Sequence, residues 1–210
     1  NNYFSKKPAL LKECNFYNLL KAFKKSKNKQ QQSHAPVTKI PKGLVCLVVD
    51  FGACRSGLIV WADQTIKFTT SLKTCGNYLT NLISKKLNLE FEKAEKLKMI
   101  YGLSEKKGRA RIRKILKPAI GELCQEIIKA KEFYQGHFPD HHRAYEIILT
   151  GGSANLPGLG LEISKQLNMK VNIANPMINL NNEKKIPQKK IHSYTTAIGL
   201  ALRSFFIKDY

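Results

Sequence analysis

The residues best suited to chemistry fall in two short glycine-containing turns, each at the end of an apolar run. In the first, LVCLVVDFGACRSGLIVW from Leu44 to Trp61, Asp50 is followed by Gly52, Ala53, Ser56 and Gly57 before the chain turns apolar again at Leu58. Gly52 and Gly57 lift the steric bar on positive φ, which lets successive backbone N–H groups face an anion lying against the turn. That makes the turn one half of a phosphate site. In the second, AYEIILTGGSANLPGL, Gly151, Gly152 and Ser153 separate a strand-like run from a helix expected after Pro157. A strand that delivers a glycine turn to a helix N-terminus can hold a phosphate, or the sugar beside it, on the unsatisfied first-turn N–H groups. Between the two turns, the spacing of Glu95 and Lys98 puts both on one face of a helix.

Each feature also has a plainer alternative. Asp50 can cap a hairpin turn, Glu95 and Lys98 can form an exposed helical ion pair contributing only about 0.2–0.5 kcal/mol, and Gly151-Gly152 can be a tight connection. His137, His141 and His142 have a spacing that could seat zinc on a helix, but Pro139 interrupts any helix there, so a solvated loop is expected. The basic run KKGRARIRKILK from Lys106 to Lys117 has no interleaved aromatics. Its Ile and Leu positions resemble the buried side of a helix whose charges are solvated. Nothing resembles a Ser/His/Asp or Cys/His catalytic set.

These turns need a sheet to hold them. The β-branched runs Leu44–Val49 and Leu58–Trp61 read as a hairpin buried on both faces, and TIKFTTSL adds a third strand in a meander. Helices are expected over YLTNLISKKL, with Leu79, Leu82, Ile83 and Leu87 inward, and over Glu90 to Ile100, with Phe91, Ala94, Leu97 and the Met99–Tyr101 stretch inward, ended by Gly102. A long helical pattern from Glu105 to Gln135 contains Pro118, which predicts a kink or break near Lys117. A helix to Leu167, a strand MKVNIA and a small-residue helix from about Ser193 to Phe205 follow. At the front, an amphipathic helix is expected within Pro8–Lys25 and a polar linker over 26–43. The fold class is α/β with a mixed sheet.

The chain has 210 residues, enough for one good core or two small subdomains. No apolar run reaches the roughly 18 residues that a membrane helix needs, and no signal-peptide pattern opens the chain, so a cytoplasmic setting is expected. The 5 cysteines are scattered without CxxC spacing, which argues against a disulfide framework or zinc ribbon. The net charge of +21 would suit nucleic acid or an anionic surface, but its lysines are spread along the chain rather than clustered, so nucleic acid is not the expected partner. The start at Asn1 suggests the back part of a longer protein.

Taken in order, VVDFGACRSG, EKAEKLKMIYGL and IILTGGSANLPGLGLEI, with NPMINL and TTAIGLALR behind them, resemble the second half of the actin-like ATPases. Within that superfamily they resemble most closely the PilM-like type IV pilus assembly proteins, related to the division protein FtsA. The resemblance runs from about Leu10 to Arg203. It implies an actin-like (ribonuclease H-like) lobe formed by residues 44–75 and 104–210. An inserted helical subdomain would occupy 76–103, and 1–43 would be a helix and linker from the end of the preceding lobe.

The resemblance further implies ATP with Mg²⁺. Asp50, Gly52, Ala53 and Ser56 would bind phosphate, with Asp50 holding the metal through water. Glu95, Lys98, Gly151, Gly152 and Ser153 would meet the adenosine. The family's first phosphate loop and water-polarising residue have no counterpart in this sequence, which implies at most a weak ATPase. Cys54 and Arg55 stand where the family has small polar residues, and Arg55 would either pair with a phosphate or block the loop. By the same resemblance the protein is an ATP-dependent conformational switch and docking platform at the inner face of the cytoplasmic membrane. It would bind the PilN-like cytoplasmic tail of a membrane-anchored pilus protein, with homo-oligomerisation open. A non-catalytic scaffold and a basic nucleic-acid-binding module are the alternatives.

Overall fold

A computed structural model of the chain describes residues 44–63, 65–104, 110–138, 144–176 and 188–203. The expected opening helix and linker, His141 and His142, and the first residues of the basic run lie outside them.

The β-branched stretches form a five-stranded mixed sheet of order β3-β2-β1-β4-β5. Its strands are β1 (Leu44–Phe51), β2 (Ser56–Ala62), β3 (Thr65–Leu72), β4 (Ala144–Thr150) and β5 (Lys170–Ile173). β1 to β3 are the antiparallel meander, while β4 lies parallel to β1 and β5 parallel to β4. As expected, β1 is buried on both faces. Val45, Leu47, Val49 and Phe51 join the main core under the helices, and Cys46 and Val48 pack with Trp61, Ile148 and Ala174 on the other side. In register, Asp50 stands between Gly57 of β2 and Thr150 of β4. Both glycine turns therefore leave the sheet at one end of neighbouring strands.

The helices are α1 (Gly76–Leu87), α2 (Phe91–Tyr101), α3 (Ala110–His137), α4 (Leu159–Leu167) and α5 (Thr195–Arg203), with 3-10 turns at Gly152–Asn155 and Gln188–Tyr194. α1 turns Leu79 and Ile83 into the core, as its pattern predicts. α2 differs from expectation. Its inward stripe is Ala94, Leu97, Lys98 and Tyr101, at spacing i, i+3, i+4, i+7, while Phe91, Met99 and Ile100 are exposed. Gly102 ends it at φ +48°, where a β-carbon would stand 2.6 Å from the Pro157 carbonyl oxygen.

α3 also departs from expectation, running unbroken through Pro118. Pro118 is exposed, so the Lys114 carbonyl that loses its N–H donor faces the solvent side of the helix. The opposite side buries Ile112, Leu116, Ile120, Leu123 and Ile127 against the sheet and the other helices.

Candidate functional site

The β1–β2 turn is fixed from outside the hairpin by the first turn of α1. The Gly76 N–H donates to Gly52 O at 2.9 Å and the Asn77 N–H to Ala53 O at 2.8 Å. Asn77 Nδ2 lies 3.4 Å from Cys54 Sγ. Two N-terminal donors of α1 are thus bonded to the turn carbonyls, and the turn and helix form one unit. The second glycine turn joins it: Ser153 Oγ donates to Gly52 O at 3.3 Å, across 101 positions of sequence. Gly76 occupies the meeting point, because a β-carbon there would be 2.5 Å from Ser153 Oγ and 3.2 Å from Ala53 Cα.

Asp50 lies half-buried beneath this junction. Burial pushes its carboxyl above the ordinary carboxylate range, and a hydrogen bond from Thr196 at the start of α5 pulls in the other direction. The C-terminal segment reaches the site at two further points. Thr150 Oγ1 donates to Thr195 Oγ1 at 2.8 Å, which in turn donates to His192 O at 2.9 Å. A β-carbon on Gly152 would stand 3.0 Å from Ser193 Oγ. The small-residue character of α5 marked a close approach, but not the hydroxyls that carry it.

The structure therefore brings together Asp50, Gly52, Ala53, Gly151, Gly152 and Ser153. Three other expected site residues are placed differently. Ser56 opens β2, buried, with its Oγ lacking a hydrogen-bond partner. Lys98 is only 5 % exposed. Its ammonium bonds Gly76 O at 2.9 Å, Thr80 Oγ1 at 2.8 Å and Glu95 Oε2 at 2.7 Å, so its three donors are all engaged within the protein. Glu95 also accepts from Thr80 and keeps 34 % of its side chain exposed. The pair stands behind the N-terminus of α1 rather than turned out from it. Nor does the Gly151-Gly152 turn deliver the chain straight to a helix N-terminus. The 3-10 turn Gly152–Asn155 intervenes, and α4 starts at Leu159, after Pro157 as expected.

Arg55 and Cys54 are exposed at the tip of the turn. Among the described residues no group of three or more His, Cys, Asp or Glu could hold a metal outright. A single carboxylate with the Thr196 hydroxyl beside it fits instead a hard cation that keeps most of its waters, as Mg²⁺ does. A cation near Asp50 would also offset the burial that raises its pKa.

A mixed sheet that sends two glycine turns toward one carboxylate, with helices packed on it, is the architecture of an actin-like lobe. MreB 5 of Spiroplasma citri bound to AMPPNP shares the fold, with a TM-score of 0.60 at 16 % identity over 80 % of this chain and 54 % of that one. A PilM-PilN type IV pilus biogenesis complex gives a TM-score of 0.65 at 26 % identity, covering 77 % of this chain and 46 % of the other. Residues 22–205 match the family described as Type IV pilus assembly protein PilM, and the chain belongs to that family.

Cell division protein FtsA of Neisseria meningitidis serogroup B is 26 % identical over 187 residues, 79 % of this chain and 44 % of its own length. FtsA of Buchnera aphidicola is 24 % identical over 204 residues, 85 % of this chain and 48 % of its own. The chain thus spans about half the length of the curated relatives it matches.

Proposed function

We propose that the junction of the two glycine turns binds ATP with Mg²⁺ and that the protein acts as a nucleotide-dependent assembly switch of a type IV pilus or related secretion system. The observation that carries this reading is the contact of Ser153 with Gly52, which joins two turns distant in sequence above one carboxylate. In this reading Asp50 holds the metal through water, and the metal would neutralise phosphate charge. Gly52 and Ala53 present backbone to the phosphates, with Ser56 supporting the turn from inside. Gly151, Gly152 and Ser153 border the adenosine. Glu95, partly exposed, offers the adenosine a carboxylate, and Lys98 sets its position.

The switch works through α1. Its first N–H groups bond the phosphate turn and its Gly76 carbonyl bonds Lys98 of α2, so a change in the turn moves both helices. The moving surface would be the docking platform for a partner such as the PilN-like tail of a membrane-anchored protein, with the protein peripheral at the inner face of the membrane. Among the described residues no helix is long and apolar enough to cross a membrane.

A second reading is a scaffold that keeps the fold without turnover, and the internal engagement of Lys98 favours it. Calorimetric titration of ATP with and without Mg²⁺ separates the two. The switch gives saturable, Mg²⁺-dependent heat and a thermal shift, whereas a flat titration rejects nucleotide binding by this chain.

A further inference from the structure

The C-terminal segment meets the junction of the two glycine turns at three neighbouring residues. Ser193 Oγ lies 3.0 Å from where a β-carbon on Gly152 would be, Thr195 Oγ1 accepts from Thr150 Oγ1 at 2.8 Å, and Thr196 hydrogen-bonds the Asp50 carboxylate. The Thr195 hydroxyl is used twice, because it also donates to His192 O at 2.9 Å. Its one proton and one of its acceptor positions are thereby filled, and the first turn of α5 is pinned to the end of β4. Thr150 is also the register partner of Asp50 across β4 and β1. The contacts therefore close a ring: Asp50 stands beside Thr150, Thr150 bonds Thr195, and the next residue, Thr196, bonds Asp50. Successive helical residues point about 100° apart, which lets Thr195 face β4 while Thr196 faces the carboxylate. Gly151 confines the same carboxylate from another direction, since a β-carbon there would stand 2.5 Å from Oδ1.

We propose that Thr196 is a positioning residue, which fixes the orientation in which the Asp50 carboxylate holds the metal. The inference rests on the reading of the junction as a site for ATP with Mg²⁺. A threonine hydroxyl has one proton to donate, and giving it to one carboxylate oxygen leaves the other oxygen for a metal-bound water. Mg²⁺ demands near-octahedral geometry and keeps several waters, so a carboxylate that reaches it through water has to be aimed and not merely close. Groups that orient a metal-binding side chain in this way typically contribute about 10–100-fold to metal affinity.

The test uses the whole chain and has a nucleotide-free arm and a nucleotide arm. In the first, thermal melts at neutral pH compare T196V in the wild-type and D50A backgrounds, which isolates the pairwise contact. In the second, ATP is titrated calorimetrically with and without Mg²⁺ into wild type, T196V and T196S. Circular dichroism checks folding, and T196A replaces T196V in both arms if the valine variant does not fold. The proposal expects T196V to lower the melting temperature in the wild-type background and not in D50A. It also expects Mg²⁺-dependent ATP affinity to fall at least about tenfold in T196V, affinity without Mg²⁺ to change less than about twofold, and T196S to behave as wild type. Equal effects of T196V in the two backgrounds overturn this inference alone. So does an unchanged Mg²⁺-dependent affinity in T196V, a loss equally large without Mg²⁺, or a T196S that behaves as T196V. A wild type silent toward ATP with Mg²⁺ rejects the nucleotide reading, and the inference falls with it.

Discussion

A β-carbon on Gly151 would stand 2.5 Å from Asp50 Oδ1 and 2.7 Å from the Phe51 carbonyl oxygen. The backbone there, at φ 84° and ψ 166°, lies in a region that only glycine occupies readily. Gly151→Ala is therefore expected to destabilise by at least about 1–3 kcal/mol from backbone strain alone and to displace the Asp50 carboxylate. Gly136→Ala is the control. It sits one residue before the end of α3 with nothing within 4 Å of its would-be β-carbon, and should stabilise by less than the roughly 0.5–1 kcal/mol of a mid-helix glycine. Urea unfolding of the two variants checks both signs.

Lys98 joins α2 to the first turn of α1 through three bonds to buried or partly buried groups. Lys98→Met removes the ammonium and takes its donors from Thr80 Oγ1 and Glu95, while Gly76 O keeps the Thr80 hydroxyl. A loss near the lower end of the range for breaking a buried pair, about 3 kcal/mol, is expected because Glu95 can still reach water. Hydrogen exchange should speed up at the start of α1 in this variant before it does in the sheet. Uniform acceleration would contradict the linkage.

Asp50 and Glu162 should shape the pH dependence of stability in opposite directions. The folded-state pKa of Asp50 is raised by burial, so its contribution is fully present below its unfolded value of 3.8 and is lost as pH rises through the folded value. Asp50→Asn should then be more stable than wild type at pH 7, with the advantage gone below about pH 4, while its Mg²⁺-dependent ATP binding disappears. For Glu162 the folded pKa lies below its ordinary value of 4.5, so its contribution is present at neutral pH and is lost as pH falls through the folded value. Glu162→Gln should be less stable than wild type at pH 7, and the gap should close in acid. Thermal melts of both variants between pH 3 and pH 7 read these trends.

Pro118 interrupts the bonding of α3 without breaking it. Replacing it with alanine restores one helical hydrogen bond and removes a ring from the helix interior, a change of up to about 3 kcal/mol in helix preference. The freer unfolded chain offsets about 0.4–1 kcal/mol of that. Pro118→Ala is thus expected to raise the melting temperature, and an unchanged or lower value would mean that the helix is adapted to the proline.

The hairpin, the meander, the β4 strand and the ends of α1 and α2 could be read from the sequence, because β-branched runs, helical spacing and glycine stops are local signals. The two glycine turns were legible as turns for the same reason. The burial of Lys98 was not, since a lysine at helical spacing beside a glutamate looks the same whether it faces water or a neighbouring helix. The exposure of Met99 and Ile100 depends on which side of α2 the partners α1 and α3 cover, which is a tertiary fact. Thr196 lay in a helix legible only as rich in small residues; its bond to Asp50 arises because the first turn of α5 reaches the end of β1. The continuity of α3 through Pro118 follows from solvent on that side of the helix, which the apolar pattern around it could have suggested.

Whether the Asp50 turn and the Gly151-Gly152-Ser153 turn form one nucleotide site can be read from amide chemical shifts during a titration with Mg²⁺ and ATP. A single site gives saturable shifts that appear together, with one affinity, at Gly52, Ala53, Gly151, Gly152 and Ser153, and that vanish in Asp50→Asn. Shifts confined to one turn, or both turns silent at saturating ATP, would contradict it.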